Sequence, residues 1–401
     1  MKPAAILIFP LLKRLLLSFA GILTALFIIE LFLRLSGNRA SPELGYFPDH
    51  PYQADSYVGA IHRPNREGTY RRQEFEVNFR TNSEGFRSSG EFISGAEHPV
   101  IAIIGDSLTE ALQVDEESTF SILLQNILRE GENQNFDFTA GQVQNYGVSG
   151  QGFIQYLQMY RYYVRPHQPK IVVIVVFPLN DFRNSSPTLE AVPWMRPAYQ
   201  VDEDDTITEI LPFTVPVIIE DEPRSTSEGI RRWAQRHLAI YRLLVTEQEE
   251  SVLQGEGRFP IDYFIYESPW RPEHEQAARY SEWALRNLIA EIREDDALPV
   301  VILIPDKIVS SDAAWQDLLE QYKALETDRQ LDRLRINQFL YRLLAELDVT
   351  FVDLTDDFLQ ADRDGKRLFW QYDGHLNEQG HELVAAELYQ TIITQELINE
   401  P

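Results

Sequence analysis

Residues 100–108 of this chain have the sequence Val-Ile-Ala-Ile-Ile-Gly-Asp-Ser-Leu. Five consecutive apolar residues that end at Gly-Asp-Ser predict a buried strand that stops at a turn. The hydroxyl group of Ser107 would then lie at the carboxyl end of the strand, where open α/β folds bind their ligands. Asp106 and Ser107 are also common turn and helix-cap residues, so this stretch alone does not distinguish a nucleophile from a cap.

The rest of the chain alternates between strand and helix patterns. Further strands are predicted at 143–146, 171–177, 300–304 and 350–354, and helices at 120–128, 153–164, 328–347 and 378–397. The seven consecutive apolar residues at 171–177 are typical of a strand that is buried on both faces. This alternation predicts an α/β fold in which helices cover both faces of a central parallel sheet.

The composition narrows the class of function. The 401 residues include 62 Asp and Glu but only 36 Lys and Arg, which gives a formal net charge of −26. Such a surface repels phosphate backbones, so we expect no nucleic acid partner. The chain has no cysteine, which excludes disulfides, thiolate metal sites and a cysteine nucleophile. Protein partners are not predictable from these features.

The amino-terminal segment predicts a membrane helix. Residues 15–33 are apolar apart from three polar positions, and as a helix they would be about 30 Å long, enough to cross a bilayer. Basic residues at positions 2, 13 and 14 precede them, which places the amino terminus in the cytoplasm and the remaining chain in the periplasm or outside. Arginines at 34 and 39 weaken this orientation. We predict an inner-membrane anchor over 1–36, with a cleaved signal peptide or a core helix as alternatives.

Two further regions flank or interrupt the predicted sheet. Residues 37–97 are predicted to be a linker and β-rich lead-in, in which alternation at 69–81 indicates one half-buried strand. The main domain is predicted over 98–398, with an insertion at about 183–275. The insertion either shapes a substrate cleft or extends the packing, and its aromatic residues suit sugar stacking or a core equally well.

Residues near the other strand ends could activate Ser107. A serine hydroxyl needs a base before it becomes a nucleophile. His375 follows the last predicted strand, at the same sheet edge as Ser107, and Asp373 can orient its imidazole. Gly150 and Asn180 follow the second and third predicted strands, where their amide groups can stabilise an oxygen that gains charge.

Together these segments resemble the four sequence blocks of the SGNH, or GDSL-type, hydrolase superfamily over about 98–396. The blocks are Gly105-Asp106-Ser107-Leu108, Gly150, Asn180-Asp181 and Asp373-Gly374-His375. The resemblance implies a three-layer α/β/α, flavodoxin-like sandwich and an esterase or acyltransferase mechanism. Ser107 would be the nucleophile, His375 the base and Asp373 its orienter. The oxyanion hole would comprise the N–H groups of Ser107 and Gly150 and the side-chain amide of Asn180.

The chain departs from the usual pattern of this superfamily at three places. Asp-x-His replaces the commoner Asp-x-x-His, and this form resembles the periplasmic alginate acetyltransferases, as does Pro305-Asp306-Lys307. Pro178 and Ala111 stand where glycine is frequent, which questions the local backbone geometry. In addition, residues 82–87 (Asn-Ser-Glu-Gly-Phe-Arg) resemble a segment of membrane-anchored bacterial members.

Other arrangements explain fewer of these residues. His381 is a rival base, but it falls in the predicted closing helix, where a structural histidine is expected. A metal site built from Asp373, His375 and His381 lacks a supporting ligand pattern, so no metal or cofactor is predicted. Ser149 lies in Gly-Val-Ser-Gly-Gln, which is not the Gly-x-Ser-x-Gly elbow of α/β-hydrolases.

Three functions follow from this interpretation. The main hypothesis is a serine-dependent esterase or deacetylase that removes O-acyl groups from a small molecule or a glycan outside the cytoplasm. The alternative is an O-acyltransferase that modifies an exported polysaccharide, in which a sugar hydroxyl instead of water resolves the acyl-enzyme. The third is a non-catalytic envelope scaffold that binds polysaccharide, which the presence of all four blocks argues against.

Overall fold

The computed structural model describes residues 4–35, 52–72, 74–131, 137–192, 195–213, 261–325, 327–395 and 397, with single positions between 214 and 260. The chain forms two compact units. One comprises residues 1–46, 71–73 and 221–257, and the other comprises residues 47–70, 74–220 and 258–401. The candidate site lies entirely within the second unit.

The first unit contains one long apolar helix, α1 (Ala4–Leu35). Residues 16–33 have a mean hydropathy of 2.4, and only 6% of this window is buried. Among the described residues, α1 is the one helix that is long and apolar enough to cross a membrane. A membrane anchor and a signal sequence both have this form.

The remaining helices and the strands are numbered in chain order. The strands are β1 Tyr52–Asp55, β2 Gly59–His62, β3 Glu67–Arg71, β4 Glu76–Arg80, β5 Val100–Gly105, β6 Gln142–Gly147, β7 Ile171–Val176, β8 Ala198–Val201, β9 Ile207–Leu211, β10 Glu267–Ser268, β11 Leu298–Leu303, β12 Gln330–Leu331 and β13 Thr350–Asp353. The helices are α2 Ser107–Glu110, α3 Phe120–Glu130, α4 Phe153–Met159, α5 Pro178–Asn184, α6 Pro272–Glu294, α7 Asp312–Lys323, α8 Arg335–Glu346, α9 Thr355–Arg363 and α10 Glu378–Thr394.

Five strands form a parallel sheet in the order β13-β11-β7-β5-β6. The strands β6 and β7 lie on opposite sides of β5, although they follow it in the chain. The connections after β5 and β7 therefore leave the sheet at a topological switch point, where open α/β sheets form their ligand crevice. Ser107 and Asn180 lie on these two connections.

The sheet is covered on both faces, which confirms the predicted three-layer fold. All six residues of β7 have no exposed surface. Along β5, Ala102 and Ile104 pack in one apolar cluster with residues of α4, α6 and α8. Ile101 and Ile103 pack in a second cluster with residues of α3, α9 and α10. Alternate side chains of one strand thus enter two different cores.

Local patterns account for most of these elements. In α3, Phe120, Leu124 and Leu128 are spaced four residues apart and are all buried, which is the spacing of one helix face. The predicted helix at 328–347 begins too early, because the structure has the short strand β12 and then starts α8 at Arg335. The side chain of Asp332 accepts the backbone N–H of Leu334 at 2.9 Å and so stabilises a turn before the helix.

The lead-in is part of the same compact unit as the sheet over residues 52–70 and 74–97. The single strand predicted at 69–81 is wrong, because the chain forms two paired strands, β3 and β4. The alternation itself holds in β4, where Val77 and Phe79 are buried with Phe75 against Tyr70 and Leu112.

Within the predicted insertion, the described residues mainly extend the packing. Strands β8 and β9 pair as an antiparallel hairpin, whereas most of residues 214–260 lie outside the described part of the chain. Tyr263 and Tyr266 are buried, and both hydroxyl groups donate to Asp306 at 3.0 Å. These two aromatic residues therefore belong to the core and do not form a sugar-stacking surface.

Candidate active site

Ser107 is the first residue of helix α2, directly after strand β5. The preceding Asp106 is fully buried and caps this helix, because its Oδ1 accepts the N–H of Leu108 at 3.0 Å. A Cβ atom at Gly105 would overlap the side chain of Thr109. Glycine at this position therefore allows the strand to turn sharply into the helix that presents Ser107.

The structure brings Ser107 together with His375 and Asp373, although Ser107 and His375 are 268 residues apart in the sequence. The Nε2 atom of His375 lies 2.8 Å from the Oγ atom of Ser107. The Nδ1 atom lies 2.5 Å from Oδ1 of Asp373, which also accepts the backbone N–H of His375 at 3.0 Å. Because an ionised carboxylate can only accept, Nδ1 carries the proton and Nε2 is left to accept the proton of Ser107.

The electrostatic surroundings of His375 favour its protonated form. Burial lowers the pKa of His375, but the hydrogen bond and charge of Asp373 raise it, and the charges of Asp106 and Glu110 add to that effect. The net result is a pKa above the ordinary histidine value. A base of this kind is neutral only when the pH exceeds this raised pKa.

Asp106 also joins the serine turn to Asn180 in helix α5. The Nδ2 atom of Asn180 donates to Oδ2 of Asp106 at 3.0 Å, which uses one of its two hydrogens. The second hydrogen of this amide group could donate to a substrate oxygen. Pro178 occupies the first turn of α5, where its fixed φ and missing N–H are tolerated, so this departure from the usual glycine does not disturb the helix.

Gly150 lies on the connection after strand β6, with a φ of +76°. A Cβ atom there would overlap the Sδ and Cε atoms of Met195. The backbone conformation therefore favours glycine, whereas the flexible end of the Met195 side chain could move aside. Its neighbour Ser149 donates its backbone N–H to Glu110 at 3.1 Å, which ties this connection to the helix that carries Ser107.

Glu110 is the centre of a buried network that the sequence did not reveal. Its Oε1 atom accepts the hydroxyl of Tyr52 at 2.6 Å and also contacts Nε2 of His62, and its Oε2 accepts the N–H and hydroxyl groups of Ser149. Burial raises the pKa of Glu110, but the charge of His62 and these hydrogen bonds outweigh burial and lower it overall. Glu110 is therefore ionised at neutral pH.

His62 contacts two acceptors within this network. Its Nδ1 atom lies 3.0 Å from the carbonyl oxygen of Gly85, and its Nε2 atom faces the carboxylate of Glu110. Both ring nitrogens of His62 therefore face an oxygen atom, one from the loop at Gly85 and one from helix α2. The sequence gave little indication of this network, because a single glutamate such as Glu110 is normally expected on a solvent-exposed helix face.

Arg87 supports the other end of helix α2. Its guanidinium group donates to the carbonyl oxygens of Glu110 at 3.1 Å and Val114 at 2.6 Å, and to that of Ala111. Ala111 ends the helix with a φ of +57°, the left-handed conformation that favours glycine. The contact with Arg87 explains how alanine is held in this conformation.

Two other candidates from the sequence have structural roles. His381 is buried, its Nδ1 accepts the N–H of Phe120 at 3.3 Å, and its ring stacks on the Phe120 ring. Burial lowers the pKa of His381 to about 3, so its imidazole is neutral at neutral pH. His381 therefore has a structural role. Within the described ranges, no group of three His, Asp or Glu side chains is arranged to hold a metal ion.

Comparison with known families identifies the family of this chain. A sequence model of the GDSL-like Lipase/Acylhydrolase family matches residues 103–383. The chain belongs to this family. It is therefore an ester hydrolase of the GDSL, or SGNH, type, and the matched range contains Ser107, Gly150, Asn180, Asp373 and His375. Among curated proteins, no sequence matches the chain.

Several solved structures are similar to this chain at low sequence identity. An acetyl xylan esterase, AlAXEase, is 14% identical, with 73% of this chain and 99% of that chain covered and a TM-score of 0.37. A catalytic mutant of Axe2, an acetylxylan esterase from Geobacillus stearothermophilus, is 13% identical, with coverage of 78% and 98% and a TM-score of 0.37. The lipase/acylhydrolase from Enterococcus faecalis is 16% identical, with coverage of 74% and 96% and a TM-score of 0.36. These scores are too low to assign a substrate.

Proposed function

We propose that this GDSL-family hydrolase is a serine esterase that removes O-acyl groups from a glycan through an acyl-enzyme. The observation that supports this proposal most directly is the 2.8 Å contact between Nε2 of His375 and Oγ of Ser107. Asp373 on the other ring nitrogen completes the order nucleophile, base and orienter. This order is the one that serine acyl transfer requires.

In the first half of the reaction, Oγ of Ser107 attacks the ester carbonyl carbon and its proton passes to Nε2 of His375. The carbonyl oxygen becomes an oxyanion, which the N–H groups of Ser107 and Gly150 and the free amide hydrogen of Asn180 stabilise. The tetrahedral intermediate collapses, the bond to the alcohol breaks, and the alcohol leaves with the proton from His375. The acyl group remains on Ser107.

In the second half, His375 takes a proton from water, and the resulting hydroxide attacks the acyl carbon. The bond to Ser107 breaks, Oγ recovers its proton from His375, and the carboxylic acid leaves. Asp373 stabilises the imidazolium that forms in both halves.

We infer the location of the catalytic unit from α1 and its flanking charges. The helix is apolar over residues 16–33, and basic residues precede this apolar stretch at positions 13 and 14. A retained anchor in this orientation would place the catalytic unit in the periplasm or outside the cell. A glycan is the substrate class that we favour there, since the net charge of −26 argues against nucleic acid.

One observation favours a second candidate, transfer of the acyl group to a sugar hydroxyl. The Asp-x-His spacing, which resembles that of periplasmic alginate acetyltransferases, places Asp373 on Nδ1 of His375 with one intervening residue. Transfer uses the same acyl-enzyme and differs only in the nucleophile of the second half.

The proposal is tested with the full-length protein in detergent. With 4-nitrophenyl acetate we expect a burst of 4-nitrophenol, an acetyl group on Ser107 in the mass spectrum and labelling of Ser107 by a fluorophosphonate. The Ser107→Ala variant should lose all three signals, and its turnover should be lower than that of the wild type by a factor of about 10⁴ or more. Unchanged turnover in this variant would exclude Ser107 as nucleophile. Addition of an acceptor oligosaccharide separates the two candidates, because a transferase forms the acetylated sugar faster than it releases acetate.

A further inference from the structure

The loop that carries Asp373 and His375 contacts a carboxylate from the lead-in. Glu74 lies just before strand β4, and its carboxylate accepts three consecutive backbone N–H groups of this loop. Its Oε1 atom accepts from Gln371 at 2.7 Å, and its Oε2 atom accepts from Tyr372 at 2.6 Å and from Asp373 at 3.1 Å. Hydrogen bonds to a charged acceptor are stronger than those between neutral groups.

A cationic side chain from another element holds the carbonyl groups of the same loop. The Nζ atom of Lys307, which follows strand β11, donates to the carbonyl oxygens of Trp370 at 3.0 Å and Gln371 at 2.5 Å. Glu74 thus holds the N–H groups of residues 371–373, and Lys307 holds the carbonyl groups of residues 370 and 371.

The loop has little regular structure of its own at this point. Phe369 and Leu376 form a bridge at its base, where Trp370 donates to the carbonyl of His375 at 3.0 Å. Between these residues the chain has no helix or strand, and the side chain of Tyr372 is 69% exposed. Backbone N–H groups in such a loop would otherwise bind water, which would let Asp373 move relative to His375.

We propose that Glu74 is a positioning residue for the reaction of Ser107, because it holds the backbone of Asp373 in the place from which its side chain orients His375. This inference rests on the proposed function and extends it to a residue outside the matched family region, 103–383. Glu74 acts through Asp373 and touches no reacting atom. A misplacement of about 1 Å can cost a catalytic group about 100-fold in rate.

The test compares Glu74→Gln with Glu320→Gln in full-length protein in detergent, since Glu320 is an exposed glutamate of helix α7. The carboxamide keeps the size of the side chain but replaces one oxygen acceptor with an NH₂ donor. This group would face at least one backbone N–H of the loop and could not accept its hydrogen bond. We expect kcat/KM for 4-nitrophenyl acetate to fall about 10- to 100-fold through kcat, while Glu320→Gln matches the wild type. The rate of fluorophosphonate labelling at Ser107 should fall in parallel, and Glu74→Asp should recover part of the loss.

Two readouts separate positioning from a purely structural role. In Glu74→Gln the acidic limb of the pH profile should move to lower pH, because a looser Asp373 no longer raises the pKa of His375, and the melting temperature should stay near that of the wild type. A variant with unchanged kcat, labelling rate and pH profile overturns the role of Glu74 while the proposed function stands. If the wild type itself is neither labelled nor active, the proposed function fails and the inference fails with it.

Discussion

Ser107 lies at the carboxyl end of strand β5, next to the fully buried Asp106, whereas His375 lies on a loop that reaches solvent. On the serine side, Glu110 and His62 form a fully buried ion pair that also holds Ser149. On the histidine side, Glu74 and the exposed Lys307 hold the loop backbone through hydrogen bonds. Both regions depend on lead-in residues that precede the matched family region.

The two kinds of support should respond differently to substitution. A buried charge that loses its partner has no water to replace it, and removing one partner typically costs about 3–5 kcal/mol of stability. Exposed backbone groups that lose a partner bind water instead, so the free energy of unfolding changes little. The comparison therefore predicts that damage to the serine side lowers stability, and that damage to the histidine side lowers activity in a folded protein.

The largest effect is expected for Asp373→Asn. An asparagine at this position does not stabilise the imidazolium and can select the wrong tautomer of His375, so we expect kcat to fall about 10³- to 10⁴-fold. The measurement is turnover of 4-nitrophenyl acetate together with thermal unfolding, with the exposed Asp317→Asn as control. Loss of activity through unfolding, rather than in a folded protein, would break the contrast between the two sides.

A smaller effect, on stability, is expected for Glu110→Gln. The carboxamide removes the charge of Glu110 from a buried network with His62, Tyr52 and Ser149, so the free energy of unfolding should fall by about 3–5 kcal/mol. Urea unfolding of the full chain in detergent measures this change, and Glu130→Gln at the exposed end of helix α3 is the matched control. A decrease below about 1 kcal/mol, within the range of exposed pairs, would show that the buried pair supports the serine side no more than surface contacts do.

The mildest perturbation is a change of pH, which should separate the two sides without a mutation. The pKa of His375 is raised, since Asp373 outweighs the effect of burial, so kcat/KM should fall as the pH drops through a value above about 6.5. Protonation of His375 itself adds stability as the pH falls, because its folded-state pKa exceeds the unfolded one. Activity should therefore be lost reversibly while the protein stays folded.

Unfolding should follow only in more acidic solution. Burial raises the pKa of Glu110, but the charge and hydrogen bond of His62 lower it by more than burial raises it. The pKa of Glu110 therefore lies below the ordinary glutamate value. The stability that Glu110 contributes is complete above its unfolded-state pKa, about 4.3, and is lost as the pH falls through the lower folded value. Activity and circular dichroism measured over the same pH range test this order, and coincident loss of both would contradict it.

Local sequence patterns were sufficient for the main elements of the fold. The apolar run at 171–177 becomes the fully buried strand β7, because a strand without polar side chains can only lie between two apolar layers. The boundaries were less accurate where short polar turns decide them. The start of α8 at Arg335 follows a turn that the side chain of Asp332 stabilises, and one such hydrogen bond leaves little trace in the hydrophobic pattern.

The contact between Ser107 and His375 could be predicted because the functional residues of an open α/β sheet gather at the carboxyl ends of its strands. Gly150 and Asn180 also follow predicted strands, and their place in the oxyanion hole stays a prediction. Glu74 and His62 were missed, since nothing in their local sequence distinguishes a carboxylate or an imidazole with a buried or bridging role from one in solvent.

The amino-acid sequence by itself determined the α/β class, the strand that presents Ser107 and the pairing of Asp373 with His375. These features depend on residues that are close in the chain or on periodicity, which short segments already contain. The tertiary structure alone decided the strand order, the ion pair of Glu110 with His62 and the contact of Glu74 with the loop before His375. Such contacts join residues 48 to 299 positions apart, and only the packing of the whole unit brings them within hydrogen-bond distance.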